Sequence, residues 1–563
     1  MGWRDMTNRS RALLIATSTV ALISHPVLAA APNVQTAPSP GTVLTPPEPA
    51  PDLPKREVPK LQEQLNLPDG SSRVLNFRFS AVRIAGNKVI DAKEIAAKFD
   101  GLLDKQITSA DLRASLDAVN KLYADNGYAL GRAYIPVQVV RGGTLIVRVV
   151  EGYIGKVSID TDNDRLRSTI ERFSNRITAE RPLTVDTLQR YLLLISEIPG
   201  LKIGGRLTAM NVYTGSATLT LTTDYELVSA STALDNRSNL EDLPFATYVT
   251  GMVNNAFGSG DQLSVTTLVS PELDKQQYYR AAASTFIGTD GLRATLGASY
   301  ARSLSPDIPA PNKLVSKSNQ FDFQLSYPLI RAVNQTLRLE TGGYYTTSKN
   351  ILNGISFSED AIRAVYAGAQ YTGRVGESVT VGGSFRMTQG LSIFGAGPDN
   401  KLHSRLGAVP NFTKFYGNAT LIYAATEKLL LTLKAAGQYS PDSLYSSEEI
   451  SFGGAQFGRG YDTSEVSGDS GYGLSAQAGY RFDVDMLGGW SLTPYTFIDH
   501  SRVFNQKVDL QGDAKLLSTG VGLNASNRKW LSLGVEMDKP INRNVTSKGN
   551  KDPRLFVSAE VRF

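Results

Sequence analysis

The side chains that most often carry out catalysis or bind metals are scarce in this chain of 563 residues. It contains no cysteine, and its three histidines are His25, His403 and His500. Thiol nucleophiles, disulfides and thiolate metal sites are therefore excluded, and no two histidines have the spacing of metal ligands. The sequence also lacks the GxxxxGKS or GxxxxGKT loop that binds phosphates. We expect a protein that is not an enzyme and that uses no metal or other cofactor.

Two stretches of the C-terminal half carry residue types that could interact inside a protein. Residues 452–461 read FGGAQFGRGY, and three aromatic residues among four glycines suit a segment packed closely against other protein. Farther along, Phe497 and Asp499 lie two positions apart in a predicted strand, so their side chains share one face. His500 falls on the opposite face from Asp499, which disfavours a His–Asp pair.

The elements that must position these residues are long strands. From residue 228 onward, apolar and polar residues alternate with a period of two, as in residues 320–329 and 471–484. Residues 471–484 have seven apolar residues on one face alone. A strand of this length is longer than the strands of soluble sheets, which average about five or six residues. Such a length suits membrane-spanning strands of about 9–11 residues, and only a closed barrel satisfies every backbone group in lipid. We predict a transmembrane antiparallel β-barrel of roughly 14–18 strands, with a soluble β-sandwich as the alternative.

Residues 77–226 have a different pattern, in which helical and strand periodicities occur in turn. In residues 77–153 this pattern predicts the order β-α-α-β-β, with a second helix that begins at Thr108 and stops at Gly127. In residues 154–226 it predicts a strand, a helix over residues 184–198 and two further strands. Two small α/β domains in tandem are the simplest account.

The N-terminal residues predict export from the cytoplasm. Residues 1–29 read as a signal peptide, because a basic start precedes an apolar run over residues 12–23 and then small residues. An N-terminal membrane anchor is the alternative, but a spanning helix needs about 20 residues. The following residues, 30–72, are proline-rich and predict an extended linker with one short helix over residues 60–67. The net charge is +5, and no stretch of the sequence concentrates charges of one sign. The charge pattern therefore does not indicate nucleic-acid binding.

Several short motifs, taken together, are similar to those of one protein family. They are YADNGY at 123–128, AYIPVQ at 133–138, GTLIV at 143–147, VEGYIGKV at 150–157, Pro199-Gly200, Asp235-Asn236, NNAFGSGD at 254–261, RLFVS at 554–558 and Phe563. Through these motifs, the chain from residue 77 to residue 563 resembles the outer-membrane transporters of two-partner secretion, of the haemolysin-activation and filamentous-haemagglutinin-transporter type.

This resemblance implies an architecture of two POTRA domains followed by a barrel of sixteen strands. The first POTRA domain is assigned to residues 73–153, the second to 154–226 and the barrel to 227–563, with a lumen loop at 440–469 that fills the bore. Phe563 would end the closing strand of the barrel. The family is found in the outer membrane of Gram-negative bacteria, with its POTRA domains in the periplasm.

The resemblance also implies a function and partners. The POTRA domains would bind a secreted exoprotein, adhesin-like or haemolysin-like, in unfolded form, and the barrel would export it. Which residues within 77–226 contact the client is not given by the sequence. The other partners implied are outer-membrane lipid and, during biogenesis, the barrel assembly machinery.

In this family the tip of the lumen loop locks onto the barrel wall. The resemblance assigns the tip to Arg459, Gly460 and Tyr461, and assigns Phe497 and Asp499 as the wall residues that the arginine meets. Two departures from the family pattern are visible. Gly458 stands where the family has a branched apolar residue, and His500-Ser501 follow Asp499 where the family has glycine. The alternative role for Asp499 is that of an ordinary carboxylate facing the lumen.

Three other functions compete with export. An outer-membrane protein assembly or insertion factor of the same superfamily would usually have more POTRA domains than the two that fit here. A passive porin would have no need of residues 77–226. An outer-membrane hydrolase would need a nucleophile and a base, and this sequence offers no such pair.

Overall fold

A computed structural model describes residues 74–563, except 209–210, 212, 238–244, 270–274, 305–312, 398–401, 485–488, 507–512 and 528. The predicted signal peptide, the proline-rich linker and its short helix lie outside the described residues. The described chain forms two compact units that meet in sequence between Tyr225 and Glu226. Among the described residues, no helix is long and apolar enough to cross a membrane.

The first half of the N-terminal unit has a small sheet covered by helices. Its elements are β1 (Val74–Arg78), β2 (Ala81–Ala85), α1 (Ala92–Ala96), a 3-10 helix (Ala97–Leu102), β3 (Gln106–Thr108), α2 (Ser109–Asp125), β4 (Gly131–Tyr134) and β5 (Thr144–Glu151). The sheet order is β2-β5-β4, with β2 parallel to β5 and β4 antiparallel to it. The separate pair β1-β3 is antiparallel.

Helix α2 begins where the sequence predicts. Thr108 and Asp111 form a reciprocal capping box, in which the Thr108 hydroxyl accepts from the Asp111 backbone N–H at 3.2 Å. Along the helix, Val119 and Tyr123 are buried against the sheet. After the helix, Gly127 adopts a φ of +84°, a left-handed conformation that stops it.

The second half of this unit repeats the arrangement. Its elements are β6 (Tyr153–Asp160), α3 (Asp164–Ala179), α4 (Val185–Ser196), β7 (Leu201–Leu207) and β8 (Ser216–Tyr225), with sheet order β6-β8-β7. Helix α4 matches the predicted helix, whereas α3 was missed. Its buried stripe, Leu166, Ile170, Phe173 and Ile177, has helical spacing. Many charged residues between these positions obscured that stripe.

The second unit is a closed antiparallel barrel, which confirms the predicted fold and excludes the β-sandwich. Within the described residues it has sixteen strands, because the segments Ser470–Tyr480 and Phe482–Val484 both pair with Trp490–Phe504 and form one strand interrupted at Arg481. The strands are β9 (Val228–Asp235), β10 (Ala246–Asn254), β11 (Gln262–Val269), β12 (Gln276–Ile287), β13 (Leu292–Leu304), β14 (Leu314–Arg331), β15 (Gln335–Leu352), β16 (Ile355–Val375), β17 (Val379–Gly390), β18 (Thr413–Ala424), β19 (Leu429–Tyr439), β22 (Ser470–Tyr480) with β23 (Phe482–Val484), β24 (Trp490–Phe504), β25 (Ala514–Ser526), β26 (Leu531–Pro540) and β27 (Arg554–Arg562).

The barrel closes by pairing its first and last strands. Residues 231–235 of β9 pair with residues 558–562 of β27. Large apolar side chains such as Leu296, Phe321 and Val535 are exposed on the outer surface. This apolar exterior is the surface that lipid covers in a transmembrane barrel.

A hairpin between β19 and β22 folds into the bore. It contains a 3-10 turn (Ser446–Glu448) and the short antiparallel strands β20 (Ile450–Phe452) and β21 (Val466–Gly468). Its apolar side chains form a buried cluster with wall and loop residues: Ile450, Phe452, Phe457, Tyr461, Val466, Val503, Leu516 and Val545. The hairpin is therefore packed as part of the barrel interior.

Candidate functional site in the barrel bore

The hairpin turns tightly just before its tip. Gly458 has a φ of +74°, which a branched side chain adopts only with strain. A Cβ atom at this position would also lie 3.0 Å from Cδ1 of Leu516, a buried wall residue. Glycine suits this position because the chain here turns directly against the wall.

The structure brings Arg459, Phe497 and Asp499 together. The Arg459 guanidinium donates from Nε to Asp499 Oδ2 at 2.9 Å and from Nη2 to Oδ1 at 3.0 Å. The Arg459 backbone N–H donates to the same carboxylate at 3.1 Å. The guanidinium carbon lies 3.2 Å from the centre of the Phe497 ring, and the Asp499 side chain is fully buried. This is a desolvated bidentate ion pair stacked on an aromatic ring.

Three further wall residues complete the arginine site. Nη1 donates to Gln477 Oε1 at 3.0 Å and to Glu536 Oε2 at 3.3 Å, and Nη2 donates to Ser475 Oγ at 3.2 Å. All five N–H groups of a guanidinium are thereby used. Sequence reasoning missed these residues. The alternation does place Ser475 and Gln477 on the polar face of β22, but it does not reveal how deep the tip reaches.

A second arginine, Arg237, supports the same site. Its Nη2 contacts Glu536 at 2.5 Å and Asp538 at 3.1 Å, and its Nη1 donates to the Arg459 carbonyl at 2.9 Å. Its guanidinium stacks on Phe556, 3.7 Å from the ring centre. Arg237 therefore helps to balance the carboxylates around the tip, and the sequence offered no signal for it.

Gly460 and Tyr461 fix the tip against neighbouring strands. A Cβ atom at Gly460 would lie 2.8 Å from the Pro540 nitrogen, so the backbones approach too closely for a side chain. Tyr461 is buried, and its hydroxyl lies 2.7 Å from Asn542 Oδ1 and 3.1 Å from the Leu517 carbonyl. Both residues of the predicted tip thus contact the wall or a loop beside it.

The remaining predicted residues lie at the seam or away from the tip. Phe563 exchanges backbone hydrogen bonds with Ala230, at 2.8 and 3.1 Å, directly after the closing strand. His500 packs on Tyr472 at a ring distance of 5.8 Å, on the face opposite Asp499. In the described part of the chain, no group of three or more His, Asp or Glu residues could hold a metal ion.

Residues 218–525 match the family described as haemolysin secretion/activation protein ShlB/FhaC/HecB, and residues 77–152 match the POTRA domain, ShlB-type. The chain belongs to the ShlB/FhaC/HecB family. It is an outer-membrane transporter of two-partner secretion, a family whose members export partner proteins.

Individual relatives of this transporter are distant in sequence. It is 22% identical over 515 residues to the heme/hemopexin transporter protein HuxB of Haemophilus influenzae, covering 86% of each chain. It is 23% identical to the outer membrane transporter CdiB of Dickeya dadantii (strain 3937), covering 83% of each. The structure of CdiB from Escherichia coli superimposes with a TM-score of 0.71 at 19% identity, covering 89% of this chain and 92% of that one.

Family membership orients the transporter in its membrane. POTRA domains of this family are periplasmic, so the end where β9 begins and β27 ends faces the periplasm. Short turns such as 288–291 and 376–378 lie at this end, whereas long connections such as 391–412 and 440–469 start at the extracellular end. The hairpin therefore enters the bore from outside the cell.

Proposed function

We propose that this transporter binds an unfolded secreted partner protein through its POTRA domains and exports it through the barrel pore. In this proposal the first POTRA domain covers residues 73–153, the second 154–226 and the barrel 227–563. The lumen loop at 440–469 closes the pore between export events. The tip residues and their wall contacts act as its lock.

The buried Arg459–Asp499 pair is the observation that carries this proposal. A sixteen-stranded barrel encloses an aqueous channel unless something fills it. The hairpin fills it here, and a polypeptide can pass only when the hairpin moves. Removing one partner of a buried ion pair typically costs about 3–5 kcal/mol, because the other charge is left without compensation, so loss of either Arg459 or Asp499 should weaken the closed position.

An exposed segment of the first POTRA domain supports client binding. Within the described residues, 135–140 join no β-ladder, and the side chains of Val137 and Val139 are exposed. The Gln138 amide instead donates to the Ile146 carbonyl at 2.7 Å and accepts from the Ile146 N–H at 2.8 Å. An extended client chain can form backbone hydrogen bonds with residues 135–140 whatever the client's own sequence is. The exposed side chains of Val137 and Val139 add apolar contacts and therefore affinity.

The test of this function compares cells that produce the wild type, Arg459→Ala or no transporter. We expect the variant to insert normally but to reduce export of the partner by at least about tenfold, the effect of roughly 1.4 kcal/mol, because the loop loses its defined position. Heat-modifiable mobility reports the folded barrel, and mass spectrometry of the medium and periplasm reports the exported protein. Arg502→Ala, at an exposed ion pair, is the matched control.

The outcomes distinguish export from its competitors. If no exoprotein moves from the medium to the periplasm when the transporter is absent, export is wrong. A general loss of other outer-membrane barrels would indicate an assembly factor instead. High uptake of small solutes by the wild type, unchanged in Arg459→Ala, would indicate a passive porin.

A further inference from the structure

The hairpin is held at its foot as well as at its tip. We call the residues where it leaves and rejoins the wall, 440–449 and 467–469, the hairpin foot. The connection between β17 and β18, residues 391–412, is called the outer loop; its residues 391–397 and 402–412 are described. The outer loop packs against the hairpin foot at the extracellular end of the barrel.

Arg405 of the outer loop binds both arms of the hairpin foot. Its guanidinium donates to Asp469 at 2.6 and 3.3 Å and to the Leu444 carbonyl at 2.9 Å. It also lies 3.2 Å from Glu449 Oε1 and 3.3 Å from Asn505 Oδ1. Arg405 and Asp469 are both buried. One side chain thus joins the outgoing arm, the returning arm and the wall.

Apolar packing reinforces this ion pair. Phe412 of the outer loop, Leu444 and Tyr445 of the foot and Ile362 of the wall are all completely buried in one cluster. The Val409 N–H donates to the Ser443 carbonyl at 3.2 Å, which joins the two backbones. The outer loop and the foot therefore form one continuous packed layer, separate from the arginine site at the tip.

The foot and the tip differ in the number of residues that separate them from the barrel strands β19 and β22. Asp469 directly precedes Ser470, the first residue of β22, and Leu444 follows the end of β19 by only a few residues. The tip, in contrast, lies about 20 residues after the end of β19 and about 10 residues before the start of β22. The foot cannot move far without unravelling the wall, whereas the tip can.

We propose that Arg405 is a positioning residue that keeps the hairpin foot anchored to the outer loop while the pore opens, so that only the tip releases. This inference rests on the proposed lock at Arg459. It assigns the outer loop a role in export as the fixed support about which the hairpin moves.

Paired cysteines test this division, because the chain has no cysteine of its own. The foot pair is Val409→Cys with Ser443→Cys, at the backbone hydrogen bond. The tip pair is Phe457→Cys with Gly473→Cys, where a Cβ atom on Gly473 would lie 2.8 Å from Cγ of Phe457. The same Cβ atom would lie 2.6 Å from the Phe452 ring, which must shift to accommodate it.

The control pair lies within the hairpin itself. Ser451→Cys with Ser464→Cys replaces hydroxyls that are 3.2 Å apart, so its disulfide does not tie the hairpin to the wall. Each full-length protein is reconstituted in a planar lipid bilayer in KCl. Channel openings are recorded after oxidation and again after reduction with dithiothreitol.

We expect the oxidised foot pair and the control pair to open as often as the wild type. The oxidised tip pair should not open until it is reduced. Openings that disappear in the oxidised foot pair and return on reduction would overturn the anchor, while leaving the proposed lock intact. Openings that persist in the oxidised tip pair would overturn the lock itself, and the anchor with it.

Arg405→Ala tests the residue directly. We expect openings to become at least about tenfold more frequent, the effect of roughly 1.4 kcal/mol, with Arg405→Lys intermediate because lysine cannot bond bidentately. Oxidation of the foot pair in the Arg405→Ala background should restore the wild-type frequency, since the disulfide replaces the anchor. No change in Arg405→Ala, or no rescue by the disulfide, would contradict the assigned role.

Discussion

At the scale of single residues, the bore site is a buried charge cluster whose members depend on one another. Arg459 and Arg237 face Asp499, Glu536 and Asp538. A buried charge that loses its partner is far more costly than an exposed one. The cluster is therefore sensitive to the loss of any member.

Neutralising the wall carboxylate should weaken the lock. We expect Asp499→Asn to raise uptake of a large antibiotic such as vancomycin by producing cells, because a neutral amide cannot balance Arg459 in a buried site. Asp513→Asn, which neutralises a half-exposed partner of Arg502, should leave uptake at the wild-type level. Equal uptake in both variants would count against a locking role for Asp499.

A separate prediction concerns Gly458, in the turn before the tip. We expect Gly458→Val to lower the thermal midpoint of the barrel more than Gly549→Val does. Both glycines have positive φ angles, but only Gly458 faces a close neighbour, Leu516. Gly458→Asn should be tolerated better than Gly458→Val, because asparagine adopts left-handed conformations more readily. Equal losses for the two valine variants would show that contact with Leu516 adds nothing.

At the scale of elements, the capping box of α2 couples helix stability to pH. Hydrogen bonds from the Thr108 backbone and then its hydroxyl lower the pKa of Asp111. A lowered folded-state pKa gives stability that is present above the unfolded pKa, about 3.9, and is lost as pH falls through the folded value.

Hydrogen exchange should detect this dependence. We expect first-turn amides of α2 in the full-length protein to lose protection as the pH falls below about 4. Thr108→Ala should lower protection at neutral pH, since a lost N-cap costs about 1 kcal/mol, and should reduce the pH dependence. Ser196→Ala, near the end of α4, serves as a control. The same pH profile in Thr108→Ala and wild type would contradict the capping explanation.

Some strands and helices could be predicted from the sequence, and others could not. Alternation identified the barrel strands, and helical periodicity ending at Gly127 located α2, because both signals are local. Helix α3 was missed, since charged residues surround its apolar stripe. The meeting of Arg459 with Phe497 and Asp499 was inferred only by family resemblance. Glu536 and Arg237 were missed because their approach depends on strand register and on the depth of the hairpin.

At the scale of the whole barrel, the hairpin tip contacts both sides of the closing seam. Arg237, just after β9, donates to the Arg459 carbonyl, and Arg554, at the start of β27, pairs with Asp462 at 2.8 Å. Residues 231–235 pair with residues 558–562 across the seam, and Ala230 and Phe563 extend this pairing by two backbone hydrogen bonds. The tip therefore adds bonds that join the first and last strands.

Loss of this bridge should destabilise the barrel. We expect Arg554→Ala to lower the temperature at which the heat-modifiable folded form disappears. Arg562→Ala, which removes a more exposed arginine of the same strand, should have a smaller effect. Arg237→Ala and Arg554→Ala combined should deviate from additivity, because both bind the same tip. Strict additivity would argue against a shared bridge.

Closure of the wall by β9 and β27 has a consequence for biogenesis. The contact between Asn236 and Leu555 joins residues 319 positions apart, so its loop-closure cost is large and we expect this pairing to form late. Until then, two unpaired strand edges face the bilayer, where nothing else can satisfy their backbone groups. We therefore expect the demand for a helper that shields exposed edges to be concentrated in the final step of assembly.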